Sequence, residues 1–192
     1  MHSASKEALF SCAARYNALV FLDPADILKH VHLPSYKRVG DFGTGSGQYA
    51  LAAAEALGTE GAVYALEAFG PLLEKVRRAA LPYGGRFYAL QSDLNEPLPL
   101  RDNLLNLAIV ANTLHALTER KRFLSELRRV LAPEGRVLFV DWASSFRNMG
   151  PTNEAAISPG EAVRLFTDAG FTTGTMLPAG THHYAFIASP QA

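Results

Sequence analysis

Two kinds of hydrophobic pattern alternate along the chain. Short, nearly continuous apolar runs stand at Arg38–Phe42, Ala62–Leu66, Arg86–Gln91, Leu105–Ala111, Arg136–Trp142 and His183–Ser189, with a seventh at Phe171–Leu177 interrupted by Gly174. Runs of this length, bounded by turn residues, predict strands covered on both faces. Between them, apolar residues recur at helical spacing. Ser46 is a candidate cap for a helix over Gly47–Leu57, and Gly70-Pro71 opens Leu72–Leu81, which Pro82 and Gly84-Gly85 stop. Thr118 and Glu119 precede the rhythm Phe123, Leu124, Leu127, Leu131, ended by Pro133 and Gly135. Ser158-Pro159-Gly160-Glu161 combines a capping serine, a first-position proline and a glutamate three residues on, and starts a helix running to Asp168.

Strand–helix alternation predicts an α/β fold: seven strands in one mostly parallel sheet with helices on both faces. Only Pro178-Ala179-Gly180-Thr181 separates the last two strands. A connection that short permits a hairpin and no parallel crossover, so the last strand is expected to be antiparallel. Residues 1–36 read as a helical lead-in broken at Asp23-Pro24, residues 37–189 as the core, and 1–192 as a single domain.

Composition narrows the function classes. The 192 residues are 48% hydrophobic and 19% charged, a globular balance. Lys plus Arg and Asp plus Glu are 18 each, so the overall field gives no grip on a polyanion, and a nucleic-acid partner is not expected. A single cysteine, Cys12, rules out an internal disulfide and a cysteine-based zinc site. His30 and His32 have no third ligand nearby in sequence, so no metal site is expected. No apolar run approaches the roughly 20 residues that span a bilayer. The N-terminus also lacks the apolar core of a signal peptide. The expectation is a cytoplasmic protein with no membrane insertion.

The densest chemistry lies in Arg38–Ala50, where a strand enters a loop with glycine at 43, 45 and 47 and then an alanine-rich helix. Glycine tolerates positive φ and lets a backbone approach a ligand closely. A dinucleotide loop would place its third glycine at position 48, which is Gln48, and a Walker loop would need Gly-Lys-Ser/Thr. Asp41, just before the loop, would repel a pyrophosphate. The charge favours a ligand with a cation near Asp41.

Asp41-Phe42-Gly43-Thr44-Gly45-Ser46-Gly47 resembles the first motif of the class I S-adenosylmethionine-dependent methyltransferases, Asp/Glu-x-Gly-x-Gly-x-Gly. The resemblance implies a Rossmann-like fold and S-adenosyl-L-methionine as cofactor. It implies that Asp41 faces the methionyl amino group and that Gly43, Thr44, Gly45 and Gly47 pack against the methionyl and ribose parts. Glu67 ends the second strand, 26 residues after Asp41, where the family places an acidic residue on the ribose hydroxyls, with Ala68 beside it. Asp93 follows the third strand, where the family's aspartate takes the adenine amino group and the N–H of the next residue, here Leu94, serves the ring. Asn112, after the fourth strand, is implied as a further cofactor contact. Leu127–Leu138 resembles the segment leading into the family's fifth strand, and Asn106 stands where most relatives carry Asp. The resemblance runs from about Val20 to Ala188.

The acceptor should meet Asn112-Thr113-Leu114-His115-Ala116-Leu117. His115 sits where small-molecule O-methyltransferases resembling this chain carry a catalytic histidine, and imidazoles accept protons near neutral pH; the alternative is that it only lines the site. The segment is not the Asn/Asp-Pro-Pro-Tyr/Phe of nucleobase or glutamine N-methylation, and the multi-cysteine relay of arsenite methyltransferases is missing. Trp142 either contacts an aromatic acceptor or packs in the core, and His182-His183 is structural or rims the pocket. The stretch 144–157 and the lead-in are the material for a lid, and Arg15, Tyr16 and Phe21 either close over the cofactor or, the favoured reading, simply pack as a helix. The expected function is methyl transfer to oxygen or carbon of a small-molecule acceptor, resembling the stand-alone quinone-biosynthesis enzymes. A methyltransferase for RNA or protein and a non-catalytic S-adenosylmethionine-binding protein are the alternatives. The sequence leaves the oligomeric state open.

Overall fold

The strands of the computed structural model, which describes residues 22–144, 149–152 and 154–191, are β1 (Arg38–Phe42), β2 (Ala62–Glu67), β3 (Phe87–Gln91), β4 (Leu105–Ala111), β5 (Leu131–Trp142), β6 (Phe171–Leu177) and β7 (His183–Pro190). The helices are α1 (Pro24–Leu28), α2 (Gln48–Leu57), α3 (Gly70–Ala79), α4 (Arg120–Val130) and α5 (Pro159–Asp168). One sheet runs in the order β3-β2-β1-β4-β5-β7-β6, and β7 alone is reversed, pairing antiparallel with both β5 and β6. This is the expected topology. The strand order turns back between β1 and β4, so the loops leaving those two strands open a crevice at the carboxyl edge of the sheet.

Alternating side chains divide the core between the two faces. Val39, Val63, Ala65, Ile109 and Val140 pack with Ile27, Ala50, Ala53 and Val76 from α1, α2 and α3. Phe42, Val110, Phe139 and Phe186 pack with Phe123, Leu127, Ala162 and Phe166 from α4 and α5. Because β1, β4 and β5 are buried on both sides, their sequences read as apolar runs.

Several boundaries differ from expectation. The cap of α2 is Gly47, whose φ of +84° carries the chain into the helix; Ser46 does not cap it. Asp23-Pro24 opens a helix: Asp23 accepts a hydrogen bond from the N–H of Ala25 at 2.8 Å and Pro24 takes the first helical position. The start of α4 lies at Arg120, two residues after Thr118. Ser158 caps α5 through the N–H of Glu161, as expected. Pairing of β5 begins early at Leu131, and a bulge between Leu105 and Leu107 absorbs Pro133 and Gly135. A side chain at Gly135 would come within 2.8 Å of the Ala132 carbonyl, so the bulge needs glycine. The lead-in from 22 to 36 is α1 followed by two 3-10 turns. Cys12, Arg15, Tyr16 and Phe21 lie outside the described residues, as do 145–148 of the expected lid stretch.

Asn106 has a local role. Its Oδ1 accepts from the N–H groups of Lys37 and Arg38 at 3.3 and 3.1 Å, joining the start of β1 to β4. An amide oxygen does this as a carboxylate would.

Candidate active site

The glycine loop turns through three left-handed residues: φ is +72° at Gly43, +55° at Gly45 and +84° at Gly47. It is anchored where β2 ends, since the N–H groups of Gly43 and Thr44 both donate to the Leu66 carbonyl at 2.9 Å. Each glycine is required for its own reason. A Cβ on Gly43 would strike Thr113 Oγ1 at 2.5 Å, and one on Gly47 would press on Val76. Around Gly45 the nearest atom to an added Cβ is the Gly43 carbonyl oxygen, 3.9 Å away, so its outer side is open to a ligand.

Asp41 lies beneath this loop, 2% exposed. Burial pushes its carboxyl up to about 6; the Thr44 hydroxyl and the Ala50 backbone pull it down, and the charge of Glu67 raises it again. Thr44 Oγ1 donates to Asp41 Oδ2 at 2.5 Å. Glu67 spans the loop mouth: Oε2 accepts from Gly45 N–H and Oε1 from Phe69 N–H, each at 2.9 Å. Two carboxylates in mutual repulsion at the end of adjacent strands favour a cation between them.

Asp93, exposed after β3, accepts from the Asn95 backbone N–H at 2.9 Å and from Asn95 Nδ2 at 3.0 Å, both on Oδ1. Among the described residues, Oδ2 makes no hydrogen bond. Leu94 is buried against the core and Ala68 accepts from Gln91 Nε2 through its carbonyl. Thus Asp41, Gly43, Thr44, Gly45, Gly47 and Glu67 form one contiguous unit, with Asp93 at the next strand end. Asn112 leaves β4 at φ +54°, its N–H bonded to the Val140 carbonyl.

The turn after β4 closes the other side of the crevice. Thr113 Oγ1 lies 3.0 Å from the Phe42 carbonyl and 2.9 Å from that of Ala111, which joins this turn to the glycine loop. His115 Nδ1 lies 2.6 Å from Asp141 Oδ1, and its N–H donates to Asp141 Oδ2 at 3.3 Å. Asp141 is fully buried at the end of β5 and accepts from Trp142 N–H as well. An ionised carboxylate only accepts, so in this pair Nδ1 of His115 donates, and Nε2 is the ring nitrogen that Asp141 leaves unengaged. Arg120 holds the same turn from α4, donating to the carbonyls of Leu114 and Leu117 at 3.2 Å and of His115 at 3.0 Å.

Sequence reasoning missed Asp141, Arg120 and Asn95. Asp141 left one sign: it is an acidic residue continuing the apolar run Val137-Leu138-Phe139-Val140 in a strand read as buried. Trp142 packs in the structure, with Gly150 closed on its ring (an added Cβ would lie 2.7 Å away) and the His183 ring 4.3 Å from it. His183 is buried, and burial lowers it to about 4, with Asp141 opposing and His182 assisting the shift.

Open space over Gly45, paired carboxylates beneath it and a free Asp93 oxygen fit a ligand with a cation, neighbouring hydroxyls and an amino group. Comparison with known proteins agrees. Residues 40–139 match the family model described as "Methyltransferase domain". The S-adenosylmethionine-dependent methyltransferase of Aquifex aeolicus superposes with a TM-score of 0.79 at 30% identity, covering 90% of this chain and 92% of that one. The ubiquinone/menaquinone biosynthesis C-methyltransferase UbiE of Bordetella avium is 29% identical over 153 residues, 76% of this chain and 59% of that protein. The 2-phytyl-1,4-naphtoquinone methyltransferase of Trichormus variabilis is 32% identical over 53% of this chain and 45% of its own. The chain therefore spans about half the length of the curated relatives it matches. With the fold, the glycine loop and its carboxylates in the matched region, this chain belongs to the S-adenosylmethionine-dependent methyltransferase family.

Proposed function

We propose that the protein transfers a methyl group from S-adenosylmethionine to a small-molecule acceptor, on oxygen or carbon, with His115 as general base. The observation that carries the reading is the His115–Asp141 pair, 2.6 Å apart on the crevice wall that Thr113 ties to the glycine loop. When bound, the cofactor supplies an electrophilic methyl group on a sulfonium. Asp41 would hold its methionyl amino group, Glu67 its ribose hydroxyls, and Asp93 with the Leu94 N–H its adenine; the backbone from Gly43 to Gly47, Ala68 and Asn112 would complete the contact.

Asp141 fixes the His115 tautomer and stabilises the imidazolium that forms when Nε2 takes a proton. The acceptor class follows from that step. An aromatic or enolic hydroxyl, once deprotonated, is nucleophilic at oxygen and at the adjacent ring carbon, so one base serves either outcome. The names of the relatives, a quinone-biosynthesis C-methyltransferase and a naphthoquinone methyltransferase, support this acceptor class. Incubating the protein with isotopically labelled methyl donor and a panel of phenols and hydroquinones tests the proposal. Labelled product is expected, and His115→Gln should slow its formation at least ~10-fold while cofactor affinity holds. A fully active His115→Gln protein would remove the base from the mechanism.

A further inference from the structure

We propose that Asn95 is a positioning residue that links the adenine end of the cofactor cleft to the turn carrying His115. The inference rests on the donor-site reading above and concerns a residue that reading leaves unused. Asn95 sits in the connection after β3, and both ends of its side-chain amide are engaged. Nδ2 donates to Asp93 Oδ1 at 3.0 Å, while Oδ1 accepts from Thr118 N–H at 3.0 Å, Thr118 Oγ1 at 3.1 Å and Glu119 N–H at 3.0 Å.

Those donors are the approach to α4, whose own capping residue, Glu119, makes no side-chain capping bond. Asn95 therefore satisfies the N–H of the capping residue itself and of the residue before it, which fixes how the chain enters α4. The next residue is Arg120, whose guanidinium holds the carbonyls of Leu114, His115 and Leu117. A continuous hydrogen-bonded path thus runs from Asp93 through Asn95 and the start of α4 to Arg120 and the His115 turn. The amide orientation is dictated from both ends, since a carboxylate requires a donor and three donors require an acceptor. A ligand amino group on the free Oδ2 of Asp93 draws on the same carboxylate that orients Asn95. The adenine end and the acceptor wall then respond together, through groups about 20 residues apart in sequence.

Adenosine is the probe for this link: it offers the amino group and hydroxyls suited to Asp93 and Glu67 and has no methionyl part to approach His115. The readout is the imidazole resonance of His115, followed by proton–nitrogen NMR on the full chain. Adenosine should shift that resonance in the wild type. Asn95→Asp keeps an acceptor for Thr118 and Glu119 but sets a second carboxylate against Asp93, so it should still bind adenosine and lose the shift. Adenosine binding with an unmoved His115 resonance in the wild type would overturn the inference, as would a shift that survives in Asn95→Asp. A ligand-free measurement separates the link from the donor-site reading. Asn95→Ala should speed amide exchange across Leu114–Leu117 by about tenfold, and unchanged exchange would refute the link even if adenosine binds. Adenosine failing to bind the wild type, with exchange accelerated in Asn95→Ala, would refute the donor-site reading and with it the proposed response to ligand.

Discussion

Asp41 opposes the stability of the fold that holds it. Its carboxyl sits near 6 in the folded chain against an ordinary value of 3.8, so between those values the folded state binds a proton that the unfolded state has released. Its ionisation destabilises the native state fully above about pH 6, and the effect vanishes as pH falls toward 4. The shift corresponds to roughly 3 kcal/mol at pH 7. Asp41→Asn should therefore raise the melting temperature at pH 7, with the gain shrinking as pH falls through 6, while S-adenosylhomocysteine binding is lost. A cation against Asp41 favours the ionised form, so wild-type affinity should drop on the order of tenfold between pH 7 and pH 5 by calorimetry. His183 acts in the opposite sense. Held near 4, it resists protonation in the fold, so the stability it contributes is lost as pH falls from 6.5 toward 4. In the wild type the two slopes offset each other; in Asp41→Asn the acid loss from His183 should stand exposed. At this scale much was legible in the sequence. The identities and spacing of Asp41, Glu67 and the glycines marked out the contiguous unit they form, because charge and backbone freedom are properties of residue type. Asp141 showed only as an acidic residue in a buried apolar run; its meaning depends on a partner 26 positions away that the fold alone brings within reach.

Helix α4 shows what elements add to residues. On one turn Arg120 grips the His115 turn; farther along, Arg129 donates to the carbonyls of Leu98 and Leu100 and pairs with Glu126 and Asp102, while Glu126 accepts from Leu98 N–H. These bonds fix the long connection between β3 and β4 against the helix. The pairing raises the guanidinium and lowers the Glu126 carboxyl. Arg129→Ala should cost about 2 kcal/mol in denaturant unfolding, and Arg129→Lys should recover only part, because an ammonium lacks the forked donor geometry. Arg120→Ala should instead lower turnover several-fold with S-adenosylhomocysteine affinity nearly intact, since its bonds run to the turn carrying His115. In the sequence, Leu127–Leu138 resembled the family without a reason for its arginines. The helical period was readable, but the carbonyls that Arg129 satisfies lie about 30 residues away. Helix starts were misplaced for a related cause: α2 is entered through a left-handed glycine and the approach to α4 is held by a distant asparagine, so neither start carries a local signature.

For the molecule as a whole, strand order determines where chemistry can occur. Reversal of order between β1 and β4 sets the glycine loop beside the His115 turn, and Thr113 joins them where Gly43 leaves no room for a side chain. The carboxylates of Asp41 and Glu67 and the His115 turn thus share one edge of one sheet. Apolar runs and the short final connection made the sheet and its reversed strand readable from sequence. The joining of its two halves was not, because it depends on contacts between loops. We propose that this edge holds S-adenosylmethionine by the charge of Asp41 despite the cost to folding. Calorimetric titration of S-adenosylhomocysteine into the wild type and Asp41→Asn at pH 7, with melting temperatures recorded on the same samples, tests it most directly. Binding is expected for the wild type only, together with a higher melting temperature for Asp41→Asn; equal binding by both proteins would show that the Asp41 charge does not hold the cofactor.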